Sequence, residues 1–134
     1  MADVHRWPLR VYYEDTDAAG IVYYANYLKF VERARTELLR EHGIDYQRLL
    51  AGEGLVFAVR DCAIDYLRPA RLDDTLEVQT RVVEISAAAI RIEQTVLRSA
   101  ELLVRVALRI VCLRQDGRPA RLPAAVREAV SAYQ

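Results

Sequence analysis

The chain has 134 residues, 53% of them hydrophobic and 28% charged, with a net charge of zero, which is enough for one well-packed domain over residues 1–134 and too little for two. That balance argues against a dedicated nucleic-acid binder or a polybasic membrane anchor, although a local cluster of arginines can still meet phosphates. The opening MADVHRWPLR carries Asp3 and Pro8 where a signal peptide needs an apolar core, and nowhere do about 18 apolar residues run together, so a soluble cytoplasmic protein without a transmembrane segment is expected.

Residues 7–14 read as a first strand, with Leu9, Val11 and Tyr13 alternating against Arg10, Tyr12 and Glu14. Glu14, Asp15 and Asp17 follow as an acidic loop, in which the small residues Ala18, Ala19 and Gly20 let the backbone turn closely. From Tyr24 the apolar positions recur at Tyr24, Tyr27, Leu28, Val31, Ala34 and Leu38, the repeat of a helix with one buried stripe. Gly43 supplies its stop. Asp45 can cap a short helical turn through Tyr46, Leu49 and Leu50, which Gly52 and Gly54 end.

A second strand spans residues 55–67, with Cys62, Ile64 and Tyr66 alternating against Asp61 and Asp65. Arg68, Pro69 and Ala70 interrupt it, and Asp73 and Asp74 mark a turn. Three further strands are read at 76–85, 88–97 and 102–113, each alternating as a sheet with one covered face should. Ser99 to Glu101 forms the hairpin between the last two. Asp116 and Gly117 close the final strand, and Pro123 opens a C-terminal helix through Val130. Strand, long helix, then four consecutive strands is an α+β plan, an antiparallel sheet with one helix on its face. Such a sheet leaves a face or an edge uncovered, so pairing with a second copy is expected.

Cys62 and Cys112 sit in separate apolar strands with no C-x-x-C pair, so both read as buried small hydrophobes. Lys29 is the only lysine and lies mid-helix on the polar side, a poor position for P-loop or Schiff-base chemistry. No cofactor or metal site is called for, since the D-x-D of Asp15 and Asp17 has no further ligand cluster.

The acidic loop and the helix start carry the chemistry. A helix's first turn leaves unpaired N–H donors and a partial positive charge, able to hold a polarised carbonyl oxygen while a nearby carboxylate attacks the carbonyl or activates water. Asp and Thr before a helix also serve as ordinary caps and turn formers. Five of the eight tyrosines, Tyr12, Tyr13, Tyr23, Tyr24 and Tyr27, fall in this region, as aromatic packing or as lining of an acyl pocket.

The stretches VYYEDTD at 11–17, GIVY at 20–23, Asn26 with Tyr27, ERARTE at 32–37 and YLRPARLDD at 66–74 together resemble the hotdog-fold acyl-CoA thioesterases of the YbgC-like, Tol-Pal-associated type, related to the 4-hydroxybenzoyl-CoA thioesterases. The resemblance implies a hotdog fold, a five-stranded antiparallel sheet wrapped on one long helix with a short C-terminal helix. It implies hydrolysis of a short-chain or aromatic acyl-CoA to free acid and coenzyme A, with Asp17 as the catalytic carboxylate, either nucleophile or general base. The backbone amides around Tyr23 and Tyr24 are the expected carbonyl polarisers, each such donor worth about 3 kcal/mol at the barrier. Gly20, Tyr27, Val59, Arg60, Arg68 and Arg71 are assigned to substrate binding, the arginines toward the coenzyme A phosphates. The resemblance further implies a site shared across a homodimer or homotetramer, and an acyl carrier protein or Tol-Pal-linked partner. The YbgC-like proteins often carry His where this chain has Tyr24, which bears on acyl preference.

Glu14 and Asp15 are the competing carboxylates, Asp15 as catalyst or as cap or buttress of the loop. A hotdog dehydratase needs a catalytic His, and only His5 and His42 exist, at the terminus and the far end of the helix. A haloacid-type phosphatase needs a downstream lysine that is missing. The alternative outside enzymes is a binding module or scaffold for acyl-CoA or acyl carrier protein.

Overall fold

The computed structural model describes residues 3–134, so the expected domain is seen from residue 3 onward. Its central helix, α1 (Asn26–Glu41), buries Tyr27, Phe30, Val31, Ala34, Leu38 and Leu39, the apolar stripe of a 3.6-residue period. The strands are β1 (His5–Arg10), β2 (Leu55–Tyr66), β3 (Thr75–Ile85), β4 (Ala89–Arg98) and β5 (Glu101–Arg114). They form one antiparallel sheet in the order β1-β3-β4-β5-β2. Strand alternation sends Leu76, Val78 and Val82 of β3, Ile90, Ile92 and Val96 of β4, and Val104, Val106 and Leu108 of β5 into the core.

Three polar side chains, Gln94, Thr80 and Arg35, meet inside that core. Gln94 donates from Nε2 to the Val31 carbonyl at 2.9 Å and to Thr80 Oγ1 at 3.0 Å, spending both amide hydrogens. Its Oε1 accepts from Arg35 of α1 at 3.0 Å. The triad ties α1 to β3 and β4 at one register.

A short helix, α2 (Tyr46–Glu53), begins as its capping residue dictates, the Arg48 N–H donating to Asp45 Oδ1 at 2.8 Å. It ends at Gly54, whose φ of +66° suits a residue without Cβ. The C-terminal α3 (Ala124–Ser131) buries Val126, Ala129 and Val130, and the Val82 N–H donates to the Tyr133 carbonyl beyond it.

Four expectations need correction. The first strand ends at Arg10 instead of residue 14, because Val11 bonds through both N–H and carbonyl to Asp74 and Asp73 and the chain then turns through Tyr13–Asp15. Pro8 is tolerated because β1 is an edge strand. The helix starts at Asn26, and both Tyr24 and Leu28 of the anticipated stripe are exposed. Cys112 is buried as expected, whereas Cys62 is exposed.

Leu28 and Cys62 fail for one reason. Helix α1 packs chiefly over β1 and β3; on edge strand β2 the short α2 meets only the beginning, Tyr46 against Phe57, and Val59, Cys62 and Tyr66 stay exposed. A bulge between Val59 and Asp61 accommodates Arg60 as an extra residue, so Phe57, Val59, Cys62, Ile64 and Tyr66 share the inward side with Cys112, Ile110, Leu108, Val106 and Val104 of β5. Among the described residues no helix is long and apolar enough to cross a membrane.

The burial contrast along α1 is measurable. Phe30→Ala should cost about 3–5 kcal/mol in urea denaturation, whereas Leu28→Ala on the uncovered side should cost about 1 kcal/mol or less.

Candidate functional site

The acidic loop is closed by pairings within it and by one to a distant segment. The Asp17 N–H donates to the Ile21 carbonyl at 2.9 Å and the Gly20 N–H to the Asp17 carbonyl at 3.0 Å, forming a tight turn. Isolated bridges join Thr16 to Val22 and Ile21 to Arg71, fixing the turn against the loop before β3. Gly20 has φ +78°, and a Cβ there would meet nothing within 4 Å, so backbone conformation explains the glycine without any close neighbour.

Asp15 and Asp17 separate cleanly. Asp15 is buried; its Oδ2 accepts from the Tyr12 N–H at 2.8 Å, and its carbonyl accepts from the Tyr23 N–H and from Asn26 Nδ2, each at 2.9 Å. It is the buttress of the loop. Asp17 is exposed; Oδ1 accepts from the Ala19 N–H at 2.9 Å, and Oδ2 has no partner among the described residues.

The same bonds decide between the two expected carbonyl polarisers. The Tyr23 amide is already spent on the Asp15 carbonyl, which removes it as a free donor. The Tyr24 N–H donates to nothing among the described residues, and Ala25 at the helix cap offers no side chain to satisfy the first turn. The Tyr24 carbonyl is held by the Tyr66 hydroxyl, which donates at 3.0 Å. The rings of Tyr23 and Tyr66 stand 4.9 and 6.0 Å from that of Tyr24. Bonding to Tyr24 pushes the Tyr23 phenol up, and burial does the same for Tyr66, so both remain neutral near pH 7.

The remaining candidates scatter. Tyr27 is 2% exposed and its hydroxyl accepts from the buried Ala70 N–H at 3.0 Å, which makes it a core strut and corrects its assignment to substrate binding. Arg68 is engaged with Glu101, which also pairs with Arg98. Arg71 and Arg60 are exposed and form no ion pair among the described residues, Arg71 beside Ile21 and Arg60 at the β2 bulge. Val59 is 49% exposed and lines a cleft of about 420 Å³ between α1, α2 and β2, with Glu32, Arg35, Tyr46 and Phe57. No group of three or more His, Cys, Asp or Glu residues suited to a metal occurs among the described residues.

Sequence reasoning passed over Tyr66 and Arg35. Tyr66 was read in strand alternation and as the first residue of the YLRPARLDD stretch, neither of which points to the Tyr24 carbonyl. Arg35 did, as a charged residue four positions after Val31 on the apolar phase of the helix.

A single antiparallel sheet curled around one helix, with a carboxylate turn at the helix start, is the architecture of the hotdog-fold thioesterases. Residues 11–130 match the thioesterase-like superfamily. The acyl-CoA thioester hydrolase YbgC of Escherichia coli O6:H1 is 49% identical over 106 residues, covering 74% of this chain and 78% of that protein. A probable thioesterase from Bartonella henselae superposes with a TM-score of 0.87 at 40% identity, over 90% of this chain and all of that one. A 1,4-dihydroxy-2-naphthoyl-CoA thioesterase from Synechocystis gives 0.90 at 25% identity, over 96% of each chain. The protein belongs to the thioesterase-like superfamily and, within it, to the YbgC acyl-CoA thioester hydrolases.

Tyr27→Phe tests the reassignment of that residue. It strands the Ala70 N–H and should lower stability by about 1–3 kcal/mol, and thioesterase kcat/KM at a temperature where both forms are folded should stay within about twofold, the small change expected of a group remote from the reacting atoms.

Proposed function

We propose that the protein hydrolyses a short-chain or aromatic acyl-CoA with Asp17 as the reacting carboxylate and the Tyr24 N–H as a donor to the thioester carbonyl oxygen. The observation that carries this reading is that Asp17 keeps a carboxylate oxygen without a partner, and Tyr24 an amide that donates to nothing among the described residues, whereas the rival Asp15 and the Tyr23 amide are both spent on the loop itself.

Two routes give the same products. As nucleophile, Asp17 adds to the carbonyl carbon, the coenzyme A thiolate leaves, and water cleaves the resulting anhydride to acid and free Asp17. As general base, Asp17 takes a proton from water as the hydroxyl adds, and the thiolate leaves from the tetrahedral species. A thiol of pKa about 8.5 leaves without strong protonation, so neither route requires a second acid, and Tyr24 in place of an imidazole is compatible with both.

An exposed Asp17 needs a cover to exclude water, and the uncovered inner face of β2 needs one as well. A homodimer, or a tetramer built from two, meets both needs, with Val59 and Arg60 of β2 at the boundary and Arg60 and Arg71 free to meet coenzyme A phosphates. Arg68 contributes only by leaving Glu101. The tyrosines around the helix start, and the naphthoyl substrate named for the Synechocystis relative, support an aromatic acyl group. A cytoplasmic location follows from the coenzyme A substrate, and an acyl carrier protein or Tol-Pal-linked partner rests on resemblance alone.

The Asp17 turn bond to Ala19 favours one rival, a module that binds acyl-CoA without turning it over. Thiol release from a panel of acyl-CoAs decides. Turnover is expected, with Asp17→Asn lowering kcat about 100-fold or more while the circular dichroism spectrum is unchanged. Full activity in that variant rejects the assignment, and micromolar binding without any release establishes the module.

A further inference from the structure

The ERARTE run supplies one residue that the hydrolytic reading leaves unused. Arg35 is 9% exposed on the buried side of α1. Its one hydrogen-bond partner among the described residues is the neutral Gln94 side chain, and no carboxylate among them forms an ion pair with it. Burial pulls its pKa down, against the smaller opposing pull of Tyr46, Glu32 and Cys62. A guanidinium keeps its charge even so, and those of its nitrogens not bonded to Gln94 are not sealed from solvent, so that an acceptor in the adjoining cleft can meet them.

Arg35 stands where two hollows meet. The outer one is the 420 Å³ cleft walled also by Tyr46, Phe57 and Val59. The inner one shares Arg35, Tyr46, Phe57 and Ile110, holds about 30 Å³, and is closed by apolar side chains such as Ile92 and Val126. One end of this site therefore offers a planar fork of donors, and the other a small dry space.

We propose that the cleft at Arg35 binds a small monocarboxylic acid, its carboxylate on the Arg35 guanidinium and its short tail in the apolar hollow behind. The planar fork matches a carboxylate better than it matches a neutral carbonyl. Tyr46, held protonated by burial, stands on the same wall as a further donor. Glu32 at the mouth is exposed and disfavours a second negative charge, so a dicarboxylate should bind less well. The inner hollow is too small for a long chain. On the thioesterase reading, such acids are the class of product released and the cleft senses them; the binding itself does not depend on that reading.

The test is a nitrogen-15 NMR titration of the full chain with butyrate, using butyramide and inorganic phosphate as controls. Saturable shifts of the Arg35 Nε–H and Gln94 side-chain amide are expected with butyrate and not with either control. Arg35→Gln, checked for folding by circular dichroism, should weaken butyrate binding about tenfold or more, as loss of a charged hydrogen-bond donor implies. Asp17→Asn should bind butyrate as the unaltered protein does, and its thiol-release rate reports separately on the hydrolytic reading. The proposal is overturned by no saturable shift with butyrate, by an equal response to butyramide or phosphate, by unchanged affinity in folded Arg35→Gln, or by loss of binding in Asp17→Asn.

Discussion

One helix cannot cover five strands, and much about this protein follows from which strands it leaves bare. Helix α1 is held over β1, β3 and β4 by its apolar stripe and by the Arg35–Gln94–Thr80 network. The inner face of β2 beyond its contact with α2, from Val59 to Tyr66, is the remainder. An apolar strip on an edge strand is a liability unless something lies on it, and here the strip ends at Tyr66, whose hydroxyl holds the Tyr24 carbonyl. The unfinished part of the core and the candidate site therefore share a border, and a second copy seated there would serve stability and chemistry together.

At the helix start, the distribution of hydrogen bonds separates structure from function. Asp15, Tyr23 and Asn26 consume one another's polar groups and set the loop. Of the groups expected to take part in chemistry, one oxygen of Asp17 and the amide of Tyr24 are left without a partner among the described residues. Asp17 and Tyr24 are both exposed, so water meets these groups in the free protein and a ligand's polar atoms have room to replace it. Burial separates the two aspartates, Asp15 inside the loop and Asp17, the one proposed to react, outside.

The strands, the central helix and the caps at Asp45 and Gly54 were legible in the sequence because each depends on local periodicity or turn chemistry. Membership of the thioesterase group was legible in the motif residues from Val11 to Asp74. Less was visible wherever tertiary pairing decides. The bulge at Arg60 that holds both Val59 and Cys62 on the inner face, the loss of Tyr23 as a free donor, and the burial of Tyr27 under Ala70 depend on partners distant in sequence or on the fold of the loop. Periodicity assigned Leu28 to the core because it records a helix phase and not the width of the sheet beneath. Arg35 was visible as an anomaly on the apolar phase, but its significance needed Gln94, 59 residues away.

The central claim is geometric: a thioester carbonyl is held at the Tyr24 amide with its carbon facing Asp17. The most direct measurement is a crystal structure of the assembled protein with a non-hydrolysable acyl-CoA analogue in which the sulfur is separated from the carbonyl by a methylene. The account predicts the analogue's carbonyl oxygen within hydrogen-bond distance of the Tyr24 nitrogen, and an Asp17 oxygen, or a water bound to it, against the carbonyl carbon. An analogue bound with its carbonyl remote from both residues, while Asp17 keeps only its turn bond to Ala19, would contradict it.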